Sequence, residues 1–234
     1  MENNTLQIAE NLNIDVIRKS IKNVHLSVHP PEGRIRLAAP LSVSDDTLRL
    51  FVVSKIGWIR RQQRSFQKQE RQSEREYKEK ESHYFQGHRY LLRITEKDEN
   101  PKVTLQSKTH LDLQIRPNST QEQKDKVMSD WYRSELKKHI PSLIEKWETK
   151  MGVKCNDWRI KQMKTKWGTC TIEEKRIWLN LELAKKPLHC LEYVIVHELT
   201  HLLERHHNER FYAYMNHHLP QWKQIKKELN EFVF

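Results

Sequence analysis

The segment Leu188-His-Cys-Leu-Glu-Tyr-Val-Ile-Val-His197-Glu198-Leu-Thr-His201-Leu-Leu-Glu204 constrains this chain more than any other. Leu188, Leu191, Ile195, Leu199 and Leu202 recur at helical spacing, and Pro187 suits the first turn of a helix. His197, His201 and Glu204 then fall on the other side of that helix. Two imidazoles four residues apart point the same way and can share one Zn²⁺. The Glu between them, Glu198, is held where it can take a proton from a bound water. The fold must therefore bury the apolar stripe while presenting the histidine pair to a cleft.

A zinc centre that works on a substrate needs a third protein ligand and one open position. Glu192, Glu204, His206, His207 and the pair His217-His218 are the candidates. Glu204 to Asn208 reads as a turn, with Asn208 capping a new helix that buries Phe211, Met215 and Leu219. His207 would stand just before that helix, where the chain can fold back. Glu204 could ligate directly or orient a ligand imidazole through its free ring N–H. His206 reads as solvent-facing or as a supporting partner, and His217 and His218 as a surface helix end.

The chain reads as α+β: the HExxH helix packs on a small sheet and is preceded by a strand and helix region. Apolar alternation over 14–40 predicts strands, with a hairpin turn at His29-Pro-Pro-Glu-Gly33. Ser44-Asp45-Asp46 supplies the N-cap of a long helix carrying Leu48, Phe51, Val52, Ile56 and Ile59. Beyond Phe66 its apolar face disappears, so the stretch to Lys80 reads as a solvated extension or a connector. Residues 84–95 and 102–116 read as two strands. A second helix follows from Ser119-Thr120, with Pro141 expected to break or kink it. Residues 158–163 and 176–180 read as strands joined through Trp167-Gly-Thr-Cys170, and no internal repeat is visible. The expected division is 14–118 for the N-terminal subdomain and 119–234 for the catalytic one.

Composition narrows the setting. The 234 residues carry a net charge of +11, spread along the chain, with local concentrations at Lys55–Arg75 and Arg159–Lys166. A basic surface solubilises the protein and also admits nucleic acid as a partner. Aromatics interleave with basic residues at Trp58-Ile-Arg60-Arg61, but no helix-turn-helix or finger pattern is present. No apolar run approaches the roughly 20 residues of a membrane span, and the opening Met1-Glu-Asn-Asn4 has no signal-peptide character. Three cysteines, Cys155, Cys170 and Cys190, suit a reducing, cytoplasmic compartment. Cys170 and Cys190 read as buried small hydrophobes.

Several segments together resemble the YgjP-like zinc metallopeptidases, relatives of the SprT-like and WLM-type proteases in the zincin group. They are Lys164-Thr-Lys166-Trp167-Gly168-Thr-Cys170, Ile177-Trp-Leu-Asn180 with Leu183, Tyr193 to Leu202, and His207-Asn-Glu-Arg-Phe211. Ile21–Pro40, Lys55-Ile-Gly-Trp58-Ile59 and Tyr84–Leu92 are similar more loosely. The resemblance implies that His197, His201 and His207 ligate Zn²⁺ and that Glu198 is the catalytic carboxylate, acting on a protein or peptide substrate. Thr169 and Thr171 stand where Ser is more usual in the family, and Glu204 replaces the Gly of metzincins. Competing expectations keep the metal but change its use. One is a hydrolase of a nucleotide phosphoanhydride, against which stands the lack of a Gly-rich phosphate loop. The other is a DNA-associated protease or binding protein of the SprT-like type. The sequence gives no oligomeric state.

Overall fold

A computed structural model describes residues 3–9, 12–29, 33–68 and 76–231. The fold is mixed α+β, and the chain divides into two units, Met1–Arg71 and Gln72–Phe234. In the first, strands β1 (Asn3–Ala9), β2 (Leu12–Lys19), β3 (His25–His29) and β4 (Arg34–Pro40) form one sheet. Its order is β1-β2-β4-β3, with β2 and β4 parallel and both outer strands antiparallel. Period-two alternation along β4 buries Ile35, Leu37 and Ala39. These pack with Ile14 and Val16 of β2 against Leu48, Val52 and Ile59 of helix α1 (Asp45–Lys68). Ser44 caps that helix, its hydroxyl accepting from the Thr47 N–H at 3.4 Å. Of the turn expected at 29–33, residues 30–32 lie outside the described residues, as do 69–75 of the stretch expected as an extension or connector.

The second unit opens with a sheet of the same topology. Residues 84–95 and 102–116, each expected as one strand, contribute β5 (Ser82–Phe85), β6 (His88–Glu96), β7 (Lys102–Leu105) and β8 (His110–Ile115). Gln86 and Gly87 take positive φ of 48° and 82° and turn the chain between β5 and β6. The order β5-β6-β8-β7, with a parallel central pair, repeats that of the first sheet, and each sheet is followed by a long helix. The duplication is invisible in the sequence because a shared topology requires only alternating apolar positions, not shared side chains. Phe85, Leu92, Leu111 and Leu113 belong to the same buried cluster as Ile177, Leu191 and Leu199. The compact unit that holds this cluster starts at Gln72, before β5.

Helix α2 (Gln121–Met151) begins with a capping box between Thr120 and Gln123 and ends at Gly152 in the left-handed region. It continues through Pro141, contrary to the expected break. Pro141 and Lys137, whose carbonyl loses its partner, both lie on the exposed face, so water can satisfy the orphaned oxygen. The Ser142 hydroxyl also donates to the His139 carbonyl at 3.0 Å. Burial of Leu136, Ile140, Ile144 and Trp147 on the other face outweighs the proline penalty.

A third sheet holds β9 (Asp157–Lys161), β10 (Gly168–Thr171) and β11 (Arg176–Asn180) in the order β10-β11-β9. The segment expected as a connection through Trp167–Cys170 thus contains a strand, and it is the sheet's edge. Beyond β11 come a 3₁₀ helix (Leu181–Lys185) and helices α3 (Leu188–Thr200), α4 (Glu209–His218) and α5 (Trp222–Glu231). Among the described residues no helix is long and apolar enough to cross a membrane. Since proline in a helix interior costs about 3 kcal/mol relative to alanine, Pro141→Ala should raise the unfolding free energy by about 1–3 kcal/mol. Urea denaturation of the two proteins side by side checks this.

Candidate metal centre

Helix α3 is buried nearly all round: Leu191, Tyr193 to Val196 and Glu198 to Thr200 are all inaccessible. The stripe expected on one side is therefore only part of its apolar surface, and His197 is half-buried rather than on an open polar face. The helix ends at Thr200, and the chain turns through His201–Glu204, whose N–H groups donate back to Leu199 and Thr200 carbonyls. Asn208 then caps α4, its side-chain oxygen accepting from the Phe211 N–H at 3.0 Å. That cap fixes the return of the chain and places His207 opposite His197 of α3 and His201 at its end.

The three imidazoles converge. Their metal-competent atoms lie within 4.8 Å of one another, and the Nε2 atoms of His197 and His207 are 3.0 Å apart. Tetrahedral ligand nitrogens at the usual zinc distance would stand about 3.3 Å apart, so the set is near the required size. Phe211 packs against all three rings at centroid distances of 5.0, 4.8 and 4.6 Å. His201 Nδ1 lies 3.3 Å from the Glu204 carbonyl, which favours a proton there and leaves Nε2 as the free lone pair. Burial holds His197 down to about 3, helped by repulsion from His201 and His207. Burial likewise lowers His201 and His207, so all three are neutral near pH 7, the form that binds a cation.

Glu198 lies one residue along, buried against β10. Burial pushes its carboxyl up to about 8, opposed by the Lys166 ammonium. The approach is so close that a Cβ on Gly168 would stand 2.6 Å from Glu198 Oε1 and 2.8 Å from a Val194 methyl. Gly168 is what lets the strand lie against the helix at the carboxylate.

A cleft of about 570 Å³ opens over these groups. Thr165–Cys170 form one wall, and Tyr212, Trp222, Lys226 and Asn230 the other. The Trp167 indole N–H donates to Asn230 Oδ1 at 3.1 Å, linking the two walls. Lys186, buried beneath with its ammonium 5.2 Å from the Trp167 ring, is lowered to about 8 by burial. Asn180 does not line the cleft. It donates to the Met163 and Lys166 carbonyls at 2.9 and 2.8 Å and so shapes the loop before Trp167.

The other third-ligand candidates lie elsewhere. Glu192 accepts from Lys146 and Trp147 at 2.6 and 2.8 Å. Glu204 Oε1 accepts from the His206 N–H, His206 itself is exposed, and His217 stacks edge-on to His218 at the end of α4. Cys190 is buried and Cys170 half-buried in the cleft wall. Cys190 also has His189 and Glu228 near it, at ligand spacing, a grouping not visible in sequence because Glu228 comes from α5. The α5 side of the cleft was likewise missed: Trp222, Lys226 and Asn230 belong to no motif and reach the site only through packing.

A family model described as YgjP-like, metallopeptidase domain, matches residues 22–232. No curated protein matches significantly. Among solved structures, the metallopeptidase zymogen of Pyrococcus abyssi abylysin is 20% identical, with a TM-score of 0.37, covering 38% of this chain and 90% of that one. The metallopeptidase zymogen of Methanocaldococcus jannaschii jannalysin gives 20%, 0.35, 38% and 92%.

Gly168→Ala should push the Glu198 carboxylate off its position while leaving the three imidazoles in place. Peptide hydrolysis is expected to fall at least tenfold, since a misplacement of about 1 Å costs on the order of 100-fold. Metal content measured on the same sample should not change.

Proposed function

Since the chain belongs to the YgjP-like metallopeptidase family, we propose that it is a zinc-dependent peptidase in which His197, His201 and His207 hold the metal and Glu198 is the general base. A metallopeptidase acts on protein or peptide substrates; the finer assignment rests on the convergence of three neutral imidazoles beside one buried carboxylate. Three nitrogen donors on a rigid helix and a capped turn suit Zn²⁺, and they leave a coordination position free. Bound there, the ion would supply Lewis acidity and lower the pKa of a coordinated water towards 7.

The chain's own groups supply the rest. Glu198 takes the proton from the attacking water and delivers it to the leaving amine as the C–N bond breaks. A carboxyl raised by burial is a good proton carrier near neutrality, and a neighbouring divalent cation favours its ionised form. Strand β10 gives the substrate a place to lie: it is the edge of its sheet and it lines the cleft, so an extended peptide can pair with its free main-chain groups. Strand β11 is paired on both sides and offers no free edge. Trp167 and Tyr193 line the cleft at that strand and at the helix.

Glu198→Gln, assayed on an unfolded protein substrate, is expected to lose 10²–10⁴-fold in rate, the range for general-base catalysis, with zinc retained. Cleavage that survives with zinc bound would sink the assignment of the base. His207→Ala should lose the metal and His206→Ala should keep it, as read by elemental analysis after dialysis. The reverse result would move the third ligand.

A further inference from the structure

Helix α1 has one feature the proteolytic site does not use. From Thr47 to Lys68 it carries six basic residues (Arg49, Lys55, Arg60, Arg61, Arg64 and Lys68) and no acidic one. Leu48, Val52 and Ile59 are buried against the sheet, yet a second apolar strip remains open, with Leu50 71%, Val53 51% and Trp58 36% exposed. A groove of about 530 Å³ runs between this helix and β3, floored by Leu26, Phe51 and Trp58 and flanked by Lys55 and Arg61. Neither cation has an ion-pair partner among the described residues.

Gly57 deepens the groove. A Cβ there would meet nothing within 4 Å, and its φ is not positive, so neither packing nor backbone geometry requires glycine. Glycine inside a helix is destabilising relative to alanine, and what it leaves at this position is open space beside Trp58. Strand β3 is the edge of its sheet among the described strands, pairing only with β4. The equivalent helix of the second sheet shows what such a face accepts. Away from its own sheet, α2 is covered by polypeptide: the Trp147 indole donates to Glu192 of α3, and Arg133 to the Ile160 carbonyl of β9. Within Met1–Arg71 no described element covers α1 in that way.

We propose that the groove between α1 and β3 is a docking site for an extended acidic peptide segment of a partner protein. The segment adds as a strand to β3, seats an apolar side chain over Gly57 against Trp58 and Phe51, and places its carboxylates by Lys55 and Arg61. An open strand edge offers alternating N–H and C=O groups that match a polypeptide main chain and have no counterpart in a phosphodiester. The exposed strip is also mostly aliphatic, whereas single-strand nucleic-acid sites stack bases on successive aromatics, and among the residues of described burial Trp58 is the one exposed ring on this helix.

The test uses the full chain carrying Glu198→Gln, so that the probe is not hydrolysed. The probe is a fluorescein-labelled peptide alternating Leu or Val with Glu, followed by anisotropy. Saturable binding is expected, weakened about tenfold or more by Trp58→Ala, the size expected for loss of an aromatic anchor. Gly57→Leu should weaken it similarly by filling the groove; its first added carbon meets nothing within 4 Å, and an unchanged circular-dichroism spectrum and melting temperature are expected to separate lost binding from misfolding. Arg61→Glu should weaken binding and flatten its salt dependence, while Leu105→Ala, at an exposed apolar position on β7, should change nothing. No binding, or binding indifferent to Trp58→Ala and Gly57→Leu, overturns the proposal. So does tighter binding of single-stranded DNA lost in the same variants, or a self-association in sedimentation that Trp58→Ala dissolves.

Discussion

The half of the chain that brings the three histidines together depends on the contact between β10 and α3 at Gly168. A helix that carries His197 and Glu198 and ends at His201 would ordinarily lie at a surface, but α3 is sealed on nearly every side. Burying a carboxylate there is unfavourable by itself, and the strand that covers it can come close only where it has no side chain. The same closeness does two further things. It makes β10 the wall of the cleft, and it brings a free sheet edge alongside the histidines. Buried carboxylate, free strand edge and cleft are thus consequences of one glycine meeting one helix.

Some of this was legible in the chain. The His197–His201 pair needs only helical periodicity to be read, because an i, i+4 spacing fixes direction. Asn208 signalled a helix start through its capping chemistry, and that signal is local. What resisted reading was anything decided by tertiary packing. Pro141 looked like a break because the penalty is local and the compensating burial of Ile140 and Ile144 is not. The β10 strand is short and half-buried at every position, so no alternation marks it. Trp222, Lys226 and Asn230 arrive at the cleft from a helix whose sequence announces only its own amphipathic packing.

The twofold use of one strand order illustrates how little of a topology resides in particular residues. Ile14, Val16 and Leu37 fill the centre of one sheet, and Leu92, Leu111 and Leu113 that of the other. In both, a parallel central pair is flanked by antiparallel outer strands and followed by a helix that covers one face. The difference lies in what the helix does next. α2 is built into a larger core along one stripe from Met128 to Met151, whereas α1 keeps a charged, basic exterior beside its open strip.

The hydrogen bond between Trp167 and Asn230 links parts of the chain 63 residues apart at the cleft. A single neutral bond of this kind contributes about 1 kcal/mol net. On its own it would leave about one molecule in six with the two walls unlinked at any moment, since RT is about 0.6 kcal/mol. Trp222, Ile225 and Leu229 keep α5 anchored in the shared core, so losing this bond frees the Trp167 indole without parting the walls.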